Sequence, residues 1–203
     1  EILIGLVGSE MCIRDSKYTM QPTKEGKISV SVMCSDLMNL ERDIKQLERN
    51  GVDYLHVDVM DAHFVPNLTF GVDFIAAMHR VTKLPLDIHL MVEHPLPIME
   101  AMDIRPGDRI SLHVELGEQL HELAKAIRAR GAHFGLVVNP STPVEALTPY
   151  LDEIEWVILM LVQPGFAGAK LIDGILDKVA AARRFLDEHG HPETEISVDG
   201  SVS

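Results

Sequence analysis

Two short runs carry imidazoles and carboxylates at a spacing suited to a shared metal ion. In YLHVDVM, His56, Asp58 and Met60 alternate with Leu55, Val57 and Val59, and a period of two puts the two sets on opposite faces of a strand. LDIHLM repeats the arrangement with Asp87, His89 and Met91. A third run, SVDG, ends on Asp199. One His-x-Asp strand has a plain reading as a satisfied core histidine beside a capping aspartate. Ionisable groups at strand spacing in several strands need partners or a cation if they are buried. Two imidazoles and two carboxylates, His56, Asp58, His89 and Asp199, suit zinc, iron(II) or manganese better than magnesium or calcium. The two carboxylates could also exchange protons with a substrate chelated beside them.

The elements that must position these groups are strands of a parallel sheet. Seven strand-like runs are predicted: Ile28–Met33, Tyr54–Met60, Leu86–Met91, Arg109–Val114, His133–Val138, Glu155–Leu161 and Glu195–Val198. Helical stripes fill the intervals. Leu37, Leu40, Ile44 and Leu47 form the first, capped by Ser35 or Asp36, and Phe74, Ile75 and Met78 the second. Pro95 opens a third segment with Ile98 and Met102, and Leu120, Leu123 and Ile127 make a fourth. Thr142-Pro143 leads into Val144, Leu147 and Leu151, and the last stripe runs from Ile172 to Leu186 before His189-Gly190.

Serial β and α segments imply a parallel sheet with right-handed crossovers, either an open doubly wound sheet or a closed barrel. An open sheet calls for a Gly-rich turn after its first strand, and that position reads Met33-Cys34-Ser35-Asp36. A barrel calls for polar residues at the carboxyl ends of many strands, here Ser31, Asp58, His89, His113, Asn139 and Asp199. The expectation is a (β/α)8 TIM barrel occupying residues 27–203, truncated after its seventh strand. Residues 1–26 are expected to be a non-native or disordered leader, because ILIGLV shows neither strand alternation nor helical period and Lys17 to Gly26 is polar.

Charge and composition narrow the function. The 203-residue chain carries a formal charge of −13, which argues against nucleic acid and anionic membranes as partners. A small anion held by backbone amides remains compatible. Cys12 and Cys34 make no CxxC, so a reducing, cytoplasmic setting is the simple expectation, and no apolar run approaches a membrane span.

Several motifs together resemble one family. LHVDVMDAHFVPNLTFG, LPLDIHLMVEHP, SLHVE, VVNPSTPVEAL, QPGFAG and SVDGS, spread from Ile28 to about Gly200, look like ribulose-phosphate 3-epimerase. The resemblance implies a (β/α)8-barrel isomerase of carbohydrate metabolism that interconverts ribulose 5-phosphate and xylulose 5-phosphate in the pentose phosphate pathway. It implies metal ligation by His56, Asp58, His89 and Asp199, with Asp58 and Asp199 as the acid–base pair. It further implies substrate contacts from Ser31 and His89, a methionine cluster of Met60, Met91 and Met160, and a phosphate loop of Gly165, Phe166, Ala167 and Gly168. A sibling family acting on allulose 6-phosphate, or an inactive fragment that only binds sugar phosphate, are the alternatives; a homo-oligomer is compatible with either.

Ala62 and Ser201 are among the departures from the family's pattern. Ala62 stands where the family usually has glycine, and Ser201 replaces a common second glycine after Asp199. If the Ala62 position needs a positive φ, alanine strains the loop. His113 with Glu115 reads as support for the rim rather than a second metal pair, and Asp61 with His63 as loop-ordering residues.

Overall fold

The computed structural model describes residues 26–201 and the backbone of an N-terminal strand. Eight parallel strands close into a barrel in chain order. They are β1 (Ile2–Val7), β2 (Lys27–Ser31), β3 (Tyr54–Met60), β4 (Leu86–Met91), β5 (Arg109–His113), β6 (His133–Val138), β7 (Trp156–Met160) and β8 (Glu195–Asp199). The seven predicted runs are all strands, within two residues at either end.

Ile2–Val7, within the stretch expected to be a leader, is a strand. Its backbone pairs in parallel with β2, Ile4 opposite Ile28 and Val7 opposite Ser31, and with β8, Ile2 opposite Ile196. The position expected to be empty after the seventh run is thus filled from the other end of the chain. A parallel strand covered on both faces can be continuously apolar, so the lack of alternation in ILIGLV was no argument against a strand. The leader residues 8–25 lie outside the described residues.

Outside the ring, Leu55, Val57, Leu86, Ile88, Leu90, Leu112, Phe134, Leu136 and Val157 are fully buried against helices. These are α1 (Leu40–Arg49), α2 (Val72–Val81), α3 (Pro95–Ala101), α4 (Leu120–Arg128) and α5 (Leu176–Glu188). Among the described residues no helix is long and apolar enough to cross a membrane. Two helical predictions need correction. Asn39, not Ser35 or Asp36, precedes α1, and the Asp36 carboxylate instead accepts bonds from Met38 N (3.1 Å) and Asn39 Nδ2 (2.7 Å). Val144–Tyr150 is a 3₁₀ segment rather than an α-helix, since Pro149 inside it lacks the N–H an α-helix needs.

Inside the ring, the strand residues that point inward form a polar floor and a polar upper layer. At the floor the Arg109 guanidinium lies 4.0 Å from the Trp156 ring and 4.8 Å from Tyr54. It donates from Nη1 to Glu195 Oε2 at 3.0 Å, and the other carboxylate oxygen of Glu195 accepts from Lys27. Gly135 makes room for this stack, because a Cβ there would sit 2.2 Å from Trp156 Cε2. Register fixes the upper layer: Asp58 pairs with His89, Met60 with Met91 and Met160 with Asp199.

Candidate metal centre

His56 and Asp58 sit two residues apart on β3, His89 on β4 and Asp199 at the end of β8, all buried. One donor atom from each converges, all four within 4.8 Å of one another. His56 Nε2 is 3.3 Å from Asp58 Oδ1 and 3.7 Å from Asp199 Oδ2. His89 Nδ1 is 3.4 Å from Asp58 Oδ1 and 3.5 Å from Asp199 Oδ2. A regular tetrahedron of ligands about 2.0–2.1 Å from zinc has edges of about 3.3–3.4 Å. The four measured edges match that figure or exceed it slightly.

Two further observations test the fit. His56 Nε2 and His89 Nδ1 are buried without a hydrogen-bond partner, although they face each other's carboxylate neighbours. Buried polar atoms are seldom left so, and a cation between them satisfies both. The site also attracts positive charge. Burial would depress the His56 imidazole, yet Asp58 and Asp87 outweigh it and hold its pKa well above the ordinary value. His89 is raised against burial in the same way by Asp199 and Asp58. Burial would raise Asp58, but His56 and His89 hold it far below the usual carboxylate range. The donor set therefore fits a metal ion.

The supports lie one step out. His56 Nδ1 contacts Asp87 Oδ2 at 3.0 Å, and that oxygen also accepts from Ser29 Oγ at 2.8 Å. Ser31 Oγ donates to Asp58 Oδ2 at 2.9 Å and accepts from Met33 N at 3.3 Å, which ends β2 in a tight turn. His89 Nε2 lies 2.9 Å from His113 Nε2.

Above the centre opens a pocket. Asp58, Asp199 and Ser31 form its polar base, and Met33, Met60, Met91 and Met160 its apolar wall. The loop Pro164 to Ala169 forms the opposite side, including Gly165, Phe166, Ala167 and Gly168. Gly165 and Gly168 have φ of +118° and +74°, and Asn67 Nδ2 donates to Gly165 O at 2.6 Å. All the sequence-predicted site residues thus meet at one end of the barrel. His56 and His89 do not line the pocket, and His89 is completely buried. His89 reaches the donor cluster through Nδ1, beside the two carboxylates that line the pocket.

Sequence reasoning missed Asp87 as the partner of His56, although its place on the His89 face was visible. It also missed Asn67 as the tie between two loops and Val162, Gly200 and Ser201 at the pocket mouth. Only register and loop geometry bring these together.

A parallel eight-stranded barrel with a buried two-histidine, two-aspartate cluster under a pocket defines a (β/α)8-barrel protein with a candidate metal centre. Comparison with known proteins narrows the class. The sequence model of the ribulose-phosphate 3 epimerase family matches residues 27–203. Ribulose-phosphate 3-epimerase of Bacillus subtilis is 40% identical over 177 residues, covering 87% of this chain and 82% of that protein. The Treponema pallidum enzyme is 39% identical over 175 residues, 86% and 80% of the two chains. The cytoplasmic isoform of Oryza sativa is 36% identical over 187 residues, 90% and 80%. The chain belongs to the ribulose-phosphate 3 epimerase family, isomerases that act on carbohydrates.

Proposed function

We propose that the protein inverts C3 of a ketose phosphate, interconverting ribulose 5-phosphate and xylulose 5-phosphate. The carrying observation is that Asp58 and Asp199 belong to the donor cluster and are also the two carboxylates that line the pocket. Inversion needs removal of a proton α to the C2 carbonyl and return of a proton on the opposite face. One aspartate takes the C3 proton, leaving an ene-diolate, and the other, entering the cycle protonated, delivers its proton to the other face. Their roles exchange when the reaction runs backwards.

His56, Asp58, His89 and Asp199 would hold the divalent ion, which supplies Lewis-acid stabilisation of negative charge on the sugar oxygens. Ser31 Oγ, bonded to Asp58 Oδ2, orients the carboxylate for transfer. Met60, Met91 and Met160 exclude water from the reacting carbons with soft, polarisable side chains. The N–H groups of Gly165 to Gly168, which line the pocket, would receive the phosphate, and backbone amides would let a chain of charge −13 take an anionic substrate. The cysteine usage and the cytoplasmic isoform among the relatives support a cytoplasmic setting.

The test follows solvent deuterium into C3 of ribulose 5-phosphate and, in parallel, of allulose 6-phosphate, with zinc, iron(II) or manganese added. Asp58→Asn and Asp199→Asn should each lower turnover by about 10²–10⁴-fold, the usual contribution of a positioned acid or base. Faster exchange with the hexulose phosphate would move the assignment to the sibling reaction. Binding of either sugar without exchange would reduce the protein to a sugar-phosphate binder.

A further inference from the structure

We propose that the Glu115 carboxylate, acting through His113, selects the ring nitrogen that His89 presents to the metal. The proposal rests on the metal-centre reading above and makes Glu115 and His113 positioning residues. His89 ligates through Nδ1, the atom close to Asp58 and Asp199, so Nδ1 must carry the lone pair. The neutral ring then holds its hydrogen on Nε2. That nitrogen lies 2.9 Å from His113 Nε2, with both rings completely buried. Two N–H groups cannot face each other at this distance, so His113 Nε2 has to accept. The hydrogen of His113 is thereby forced onto Nδ1.

What favours that arrangement lies on the far side of the ring. Glu115 Oε2 is 3.3 Å from His113 Nδ1. The pair is not well aligned as a hydrogen bond, so the preference comes chiefly from the negative charge facing the N–H dipole. The glutamate cannot turn away freely. Its Oε1 accepts from Asn139 N at 3.3 Å and from Thr142 Oγ1, in the loop that follows β6. Lys178 on α5 fixes this loop in turn, donating from Nζ to Asn139 O and Thr142 O, both at 2.6 Å. A chain of fixed donors and acceptors thus runs from an outer helix to the ligand atom.

The substitution Glu115→Gln reverses the signal with little change of shape. The two donors at Asn139 and Thr142 keep the amide oxygen where Oε1 was, so the NH₂ group faces His113 Nδ1. His113 then becomes the acceptor at Nδ1 and the donor at Nε2. His89 must answer with a lone pair on Nε2 and a hydrogen on Nδ1, the tautomer that cannot ligate. Glu115→Ala only removes the preference. A residue that merely packs would show the opposite order, because glutamine keeps the volume and alanine does not.

The experiment is zinc affinity of the full chain, measured by competition with a chromophoric chelator, with circular dichroism as the check on folding. Glu115→Gln should bind zinc on the order of 10–100-fold more weakly than the parent, as outer partners of ligating histidines do. Glu115→Ala should lose less. Equal affinity for parent and Glu115→Gln, or a larger loss in Glu115→Ala, overturns the proposal. A second measurement needs no variant. Imidazole ¹⁵N spectra of the zinc-loaded parent should show His113 neutral with its hydrogen on Nδ1 and His89 with its hydrogen on Nε2. The opposite His113 tautomer beside bound zinc sinks this proposal alone. A parent chain that binds no zinc, iron(II) or manganese sinks the metal-centre reading on which it stands.

Discussion

Replacing Ala62 by glycine should stabilise the protein. Ala62 has φ of +61°, in the left-handed region, directly after β3 and Asp61. Contact between Cβ and the following carbonyl costs an L-residue about 1–2 kcal/mol there. Glycine removes that cost but has more freedom to lose on folding, about 0.4–1 kcal/mol. The Ala62 methyl is exposed, so little burial is forfeited, and the bond from Ala62 N to Asn67 O (2.9 Å) is unaffected because it is main chain. The balance is a gain of about 0.5–1 kcal/mol. At this chain length that corresponds to a rise in Tm of about 1–4 °C. Urea unfolding followed by Trp fluorescence should show a higher midpoint with an unchanged slope. Ala62→Val should move the other way, since a β-branched side chain tolerates positive φ poorly. A destabilised glycine variant, or a valine variant equal to the parent, would refute the left-handed assignment.

Gly135→Ala should destabilise by about 1–3 kcal/mol, because the added Cβ meets the Trp156 indole in a packed interior; a urea midpoint matching the parent's would contradict this. Glu195→Gln should cost about 3 kcal/mol at neutral pH by stranding buried Arg109. Burial would raise the Glu195 pKa, but Lys27 and Arg109 depress it below its ordinary 4.5, so its stabilisation is present above that pH and lost as pH falls through the folded value. The acid limb of the variant's stability curve should accordingly be shallower. Deleting residues 1–7 should expose the edges of β2 and β8 and lower both solubility and the urea midpoint; a deletion variant as soluble and stable as the parent would show the strand to be dispensable.

Legibility from sequence followed the physics of each signal. Strands with one polar face, such as β3 and β4, declare their boundaries through alternation, so their ends fall where predicted. β1 has no such contrast and was hidden among apolar residues. The four donor residues were visible because buried imidazoles and carboxylates are chemically unusual at strand positions. Asp87 was not legible as the partner of His56, since only cross-strand register sets the two opposite each other. Ala62 shows an intermediate case. Sequence supplied the condition for strain, and φ of +61° supplies the fact, with Ser201 at +54° a second instance.

The closing strand also has a mechanical consequence. Around the ring, Asp199 on β8 and Asp58 on β3 are three strand steps apart through β1 and β2, and five steps apart through β7 to β4. With the ring closed the two routes act like springs in parallel, and the shorter one is the stiffer. Opening the ring at β1 would leave the carboxylates joined only through the longer, softer path. Their donor atoms must hold their places to within a few tenths of an ångström to share one ion. Chain far from either aspartate in sequence, with no side chain in the donor set, thus governs how tightly the spacing of the centre is held.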